Sequence, residues 1–232
     1  MERPFKIKVI FLFLLSLIFL DSAFTKDKAI IWIHRVNGNP MVISALWEHK
    51  LLRPGSRGEM QTVALIELKK SGHKFHILVK KRGEEEEEWI FDGKNLYGIN
   101  RLDKIIYIMP IKRKRSLYFW EIPIKMRPFG TPKIIGEGNW KGRKTIILQI
   151  TGEYEKAPVT ITYTVDKEKA VLLKKEHILG PLKEPLWKET FEVKLINFPS
   201  SLPQETFSPP SSPGFVEVKK RILTSEYLNT KF

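Results

Sequence analysis

The sequence predicts a mainly β protein: one large, curved antiparallel sheet covered by short α elements. Three observations predict it. Short runs that favour extended chain recur from Met41 to Ile196, about ten in all, several of them alternating apolar and polar residues. The breaks between them are tight-turn signals, among them Pro54-Gly55, Ser71-Gly72, Asp92-Gly93 and Asp166-Lys167. Helical spacing is clear in one short stretch only. A sheet of about ten strands must curl, close or be covered, because its apolar side has to leave water.

The chain opens with Arg3, Lys6 and Lys8, followed by an unbroken apolar run from Val9 to Leu20. A basic segment before a short apolar one has the pattern of an export signal, and the run is shorter than the ~20 residues a spanning helix needs. Residues 1–25 are expected to be that signal, with Ala23 and Thr25 as candidate ends and an uncleaved inner-membrane anchor as the alternative. Residues 26–218 are then one domain, and 219–232 a loosely ordered tail. The expected location is periplasmic.

The 232 residues contain no cysteine and carry a formal charge of +14. Disulfides, thiol catalysis and cysteine-bound metals are thereby excluded. Outside the cytoplasm, a strongly basic surface suits anionic lipid head groups or an acidic protein, with solubility as the simplest role.

Each element follows from its local pattern. In residues 26–37, Ile30, Ile33 and Val36 approach helical spacing, and Gly38-Asn39-Pro40 stops the helix. Met41–Leu52, Gly58–Lys69 and Lys74–Lys80 are extended. Phe75, Ile77 and Val79 alternate with Lys74, His76 and Lys80. Trp89–Phe91, the Asp92-Gly93 turn and Leu96–Ile99 make a hairpin, and Ile105–Met109 continues it. Pro110–Pro132 breaks the rhythm with the run Lys112-Arg113-Lys114-Arg115, then Leu117, Tyr118, Phe119 and Trp120, then prolines that forbid a long helix. It is expected to be a lid crossing the sheet. Lys144–Ile150, Val159–Val165, Ala170–Ile178 and Glu189–Ile196 resume the meander. The Pro/Ser-rich end is expected to be irregular chain lying along the domain.

The order of these motifs resembles the LolA-like/RseB-like family of periplasmic lipoprotein-carrier and lipoprotein-sorting domains. Residues Trp89 to Tyr97 resemble its Asp-Gly hairpin. Ile105 to Pro110, followed by Lys112 to Arg115, resembles its strand-proline-basic passage, and Gly142 to Leu148 its glycine-basic strand. Tyr163 to Glu168 resembles a strand ending in Asp before a tight turn. Phe191 to Phe198, with Leu202-Pro203 and Phe207, resembles the closing strand and tail. The resemblance implies an incomplete β-barrel covered by helices around an apolar cavity for acyl chains. Arg53 and Arg57 are both possible positions for the carrier's cavity arginine. The acidic segment often found in the sorting branch after the proline is missing.

The candidate cavity lining is Phe75, Ile77, Val79, Trp89, Phe91, Ile161, Tyr163, Phe191, Val193 and Leu195, and the candidate lid is Trp32, Ile33, Val36, Leu117 and Trp120. Ordinary core packing is the competing reading for each of them. Lys112, Arg113, Lys114 and Arg115 are candidates for contact with anionic head groups or an acidic partner, where cations beside aromatic rings suit a membrane interface.

Catalysis is not expected. Histidines stand at 34, 49, 73, 76 and 177, and His73 and His76, three apart on a strand, would point to opposite faces. No HExxH, Gly-x-Ser-x-Gly or phosphate loop occurs, and Glu84–Glu88 has the character of a solvated hairpin tip. No cofactor, metal or nucleic acid is expected. The expected function is non-enzymatic binding or carriage of lipid or lipoprotein acyl chains by a monomer. The alternative is an envelope-stress regulatory or interaction protein of the RseB-like type, acting through a membrane-protein partner.

Overall fold

The computed structural model describes residues 28–52, 58–111, 121–122, 130–211, 213–220 and 227–228. Twelve strands form one sheet: β1 (Ile43–Leu52), β2 (Gln61–Ser71), β3 (Lys74–Lys81), β4 (Glu87–Phe91), β5 (Asn95–Asn100), β6 (Ile105–Pro110), β7 (Lys133–Trp140), β8 (Arg143–Tyr154), β9 (Ala157–Asp166), β10 (Leu172–Leu179), β11 (Trp187–Asn197) and β12 (Val216–Lys219). Their order is β12-β6-β5-β4-β3-β2-β1-β11-β10-β9-β8-β7. The ends, β12 and β7, do not pair, so the sheet is open: an incomplete barrel, as expected.

The turns form where the sequence allows unusual backbone. Gly93 takes φ +100° in the β4–β5 turn. There Asp92 Oδ1 accepts hydrogen bonds from the backbone N–H groups of Lys94 and Asn95, each at 2.7 Å. Asp166 closes the β9–β10 turn in the same way, accepting from the N–H groups of Glu168 and Lys169 at 2.8 Å.

One face of the sheet, the inner face, carries the main core. Strand period puts Ile43, Ala45 and Trp47 there from β1, Ala64, Ile66 and Leu68 from β2, and Phe75, Ile77 and Val79 from β3, all buried. Helix α1 (residues 28–37) packs Ala29, Ile33 and Val36 onto this face. Their i, i+4, i+7 spacing makes one apolar stripe. Ile30, expected in the stripe, is only half-buried, and Ala29 takes its place. The helix ends at Gly38, whose N–H donates to the His34 carbonyl at 2.8 Å. Asparagines fasten that end. Asn37 donates to the Ile122 carbonyl at 2.8 Å and accepts from its N–H at 3.0 Å. The Asn39 side chain donates to the carbonyls of Lys169 and Ala170 at 2.6 and 3.0 Å.

The outer face carries a second, smaller apolar cluster. Register places Ile90 beside Tyr97, and Glu88 beside Ile99, which in turn faces Ile106. Ile90, Ile99 and Ile106 are buried outside the main core cluster. So is Phe207, in a short 3-10 helix (Gln204–Phe207) that packs against β3. The proline-rich stretch thus leads from β11, beside β1, past β3 to β12, at the far edge beside β6.

The structure departs from the sequence expectations at several further places. Strand β7 was not expected; it is an edge strand with two glycines and no run of buried residues. Strand β12 was not expected either. It is four residues long and pairs parallel to β6, so its partner rather than its pattern defines it. His73 lies in the turn between β2 and β3, not on a strand. Glu88 is not at a solvated tip; it is 4% exposed. His76 Nε2 lies 2.9 Å from its Oε1, and Arg101 reaches both its oxygens at 2.6 and 2.9 Å. Tyr227 and Leu228, in the stretch expected to be loosely ordered, are buried in the main core, because an aromatic and a leucine there cover apolar sheet. Among the described residues no helix is long and apolar enough to cross a membrane.

Candidate functional site on the inner face

Nine of the ten expected lining residues come together on the inner face. Phe75, Ile77, Val79, Trp89, Phe91, Ile161, Tyr163, Phe191 and Val193 are each 9% exposed or less and belong to one cluster. The tenth, Leu195, is corrected by the structure. Trp47 faces Val193, but Leu46 faces Leu195, which leaves Lys194 as an extra residue in β11. This bulge reverses the alternation. Ile196, not Leu195, then lies opposite Ala45 and packs on the core, while Leu195 is 64% exposed.

Of the expected lid, Ile33 and Val36 are buried over the sheet and Trp32 is half-buried, its ring stacked under the Arg35 guanidinium at 4.2 Å. Leu117, Trp120, Lys112, Arg113, Lys114 and Arg115 lie outside the described residues, as do Arg53, Arg57 and residues 1–25. The remaining cover among the described residues is Ile122, Tyr227 and Leu228.

Four described residues at the centre of this face are sealed. Phe75, Ile77, Val79 and Ile66 have no exposed surface, so no solvent-sized space borders them. Two clefts formed by described residues, of about 200 and 190 Å³, lie at the acidic hairpin around Glu85, Glu86 and Glu88, and of the expected lining only Trp89 reaches one of them. Both fall below the ~300–1,000 Å³ usual for ligand pockets.

The inner face also holds a polar group that sequence reasoning missed. Register lines up Tyr163, Lys175, Phe191, His49, Ala64 and Lys81 across five strand pairs, with Ile161, His177 and Glu189 in the next row. His49 is 2% exposed. Its Nε2 lies 3.1 Å from Glu189 Oε1, and its Nδ1 lies 3.1 Å from the Tyr227 hydroxyl. In the neutral imidazole these partners select the Nε2–H tautomer: Nε2–H donates to Glu189 and the Tyr227 O–H donates to Nδ1. Phe191 stacks on the imidazole, with centroids 4.2 Å apart. The second Glu189 oxygen lies 4.0 Å from His177 Nδ1.

Electrostatics follow from burial. Burial works against the Glu189 carboxylate, but the hydrogen bond to His49 and the charge of Lys175 hold its pKa below the usual carboxylate range. Burial pushes the Lys175 ammonium down, opposed only by Glu189. Burial pushes His177 down as well, and the Lys175 charge adds to the effect against the pull of Glu189. Burial alone pushes the Tyr163 phenol up. A signal was present in the sequence: His49 is in phase with Ile43, Ala45 and Trp47, and Glu189 with Phe191 and Val193. Among the described residues no group of His, Asp and Glu is arranged to hold a metal ion.

One similar solved structure shows the same kind of fold. A conserved, uncharacterized protein from Thermus thermophilus aligns over 84% of this chain and 98% of its own, at 11% identity and a TM-score of 0.52. The fold is shared. Weaker alignments, which carry less structural agreement, include Pseudomonas aeruginosa MucB from its complex with MucA, at 14% identity, 79% and 61% coverage and a TM-score of 0.47. Another is a LolA superfamily protein from Nitrosomonas europaea, at 9% identity, 80% and 98% coverage and a TM-score of 0.37. No family model matches the sequence, and no curated protein is significantly similar to it.

Proposed function

We propose that this protein is a non-enzymatic, extracytoplasmic binder of acyl chains from lipids or lipoproteins, which it takes up on the inner face of the sheet. The observation that carries this reading is the breadth of that apolar face. A broad apolar surface, from Ile43 through Phe75 to Tyr163, is overlaid among the described residues by one ten-residue helix, Ile122, Tyr227 and Leu228. Helix α1 belongs to no strand pair, so it can be displaced without unfolding the sheet. An acyl chain then replaces one set of apolar contacts by another. Burial yields ~0.8 kcal/mol per methylene, so a chain of about fifteen methylenes gains on the order of 10 kcal/mol before the costs of association and of lifting the cover.

The test is native mass spectrometry of the gently purified full chain, together with displacement of a neutral hydrophobic dye by fatty acids. Co-purified lipid and saturable displacement are the expected results. A lipid-free protein that takes up no dye would sink the proposal. A single membrane protein recovered in place of lipid would favour the regulatory alternative.

A further inference from the structure

The inner face is not uniformly apolar, and its unpartnered polar groups cluster. Tyr163 and Lys175 are directly opposite one another on β9 and β10, a spacing of roughly 5 Å between Cβ atoms. Tyr163 is 1% exposed, and no hydrogen bond joins its hydroxyl to another described residue. The Lys175 ammonium lies 5.3 Å from the Phe191 ring centroid and makes no ion pair among the described residues. The carboxylate nearest to it in register, Glu189, is already turned to His49 at 3.1 Å and lies 4.0 Å from His177. A cation and a phenol side by side, neither hydrogen-bonded to a described residue, present donors to the same space.

We propose that Lys175, Tyr163 and His177 seat the anionic head group, a carboxylate or a phosphate, of a single-chain acidic amphiphile whose tail lies on the apolar face. This rests on the acyl-binding reading above. The ammonium and the phenol O–H both donate, and His177 supplies a ring nitrogen not engaged by Glu189. Access is available: the His177 side chain is 27% exposed and Lys175 is half-buried, so the head group stays near solvent while the tail runs towards Phe191 and Val193. Glu189 Oε1 is turned to His49, 3.1 Å from its Nε2. Burial lowers the Lys175 pKa against the pull of Glu189, and an arriving anion would raise it again.

The experiment uses the full chain and a neutral dye, N-phenyl-1-naphthylamine, displaced by palmitate, by hexadecanol and by palmitoyl lysophosphatidic acid. Palmitate or the lysophosphatidic acid is expected to displace the dye at a concentration at least about tenfold lower than hexadecanol. The better of the two identifies the head group as carboxylate or phosphate. K175M should abolish that preference while leaving hexadecanol unchanged, and Y163F should reduce it. K175M removes a poorly compensated charge, so its thermal midpoint, read by circular dichroism, should be no lower than that of the natural protein. Equal displacement by the acids and the alcohol, or a preference that survives K175M, overturns the head-group seat and leaves acyl binding standing. Displacement by none of the three overturns both.

Discussion

His49 and Tyr227 are 178 residues apart in the chain, yet the imidazole Nδ1 and the phenol oxygen lie 3.1 Å from each other. The contact joins the middle of the sheet to the last described residues. Tyr227 also meets His49 and Phe191 edge-on, at centroid separations of 5.6 and 6.3 Å. Tyr227→Phe keeps the ring and deletes the hydroxyl; it should cost about 1 kcal/mol. Tyr227→Ala also deletes the ring and should cost about 3–5 kcal/mol. Urea denaturation followed by tryptophan fluorescence measures both. A Tyr227→Ala variant as stable as the natural protein would mean that the C-terminal segment does not hold down the cover.

Acid should destabilise the fold through its paired carboxylates. Burial opposes ionisation of Glu48, but hydrogen bonds from Lys194, Lys50 and Thr62 outweigh it and lower its pKa from 4.5 to about 2. A folded-state pKa below the unfolded one means that the unfolded chain binds the proton first. The stabilisation is therefore complete above pH 4.5 and is lost as pH falls towards about 2. Glu88 and Glu189 shift in the same direction. The urea midpoint should fall steeply over that range, and less steeply in Glu48→Gln. Parallel curves for the two proteins would contradict the assignment.

Gly98 is required by its neighbour. A Cβ there would lie 2.9 Å from Trp89 Cζ3 on the paired strand, closer than carbon atoms approach. Gly98→Ala should cost about 1–3 kcal/mol, because the indole must move off its seat on β5. The same change at Gly136, where a Cβ meets nothing within 4 Å, should have a far smaller effect. Equal thermal shifts in the two variants would show that Trp89 does not rest on Gly98.

The bulge in β11 makes a paired prediction. Leu195→Ser acts on an exposed side chain and should change stability by no more than about 0.5 kcal/mol. Ile77→Ala acts on a fully buried one and should cost about 2–5 kcal/mol. A large loss at Leu195 would mean that the alternation in β11 runs unbroken.

Much of the architecture was legible in the sequence, because strand period and turn chemistry are local. Phe75, Ile77 and Val79 declare their buried face by alternation alone, and Asp92-Gly93 and Asp166 declare their turns through side-chain acceptors and a positive φ. Helix α1 was legible for the same reason. Its apolar stripe repeats at the helical period, and Gly38 and Pro40 end it.

What the tertiary structure decided is everything that depends on register. The extra residue at Lys194 sends Leu195 outward and Ile196 inward, and nothing within β11 announces it. Strand β12 exists because β6 offers it an edge, and Tyr227 is buried because the sheet offers His49 and Phe191 as a seat. The polar row from Tyr163 to Lys81 is assembled from residues spread along the whole domain, which only the pairing of neighbouring strands brings side by side. Local chemistry can choose a strand and a face. Which residues share a row is set by hydrogen bonds between distant segments, and that information lies in the pairing rather than in any one stretch of chain.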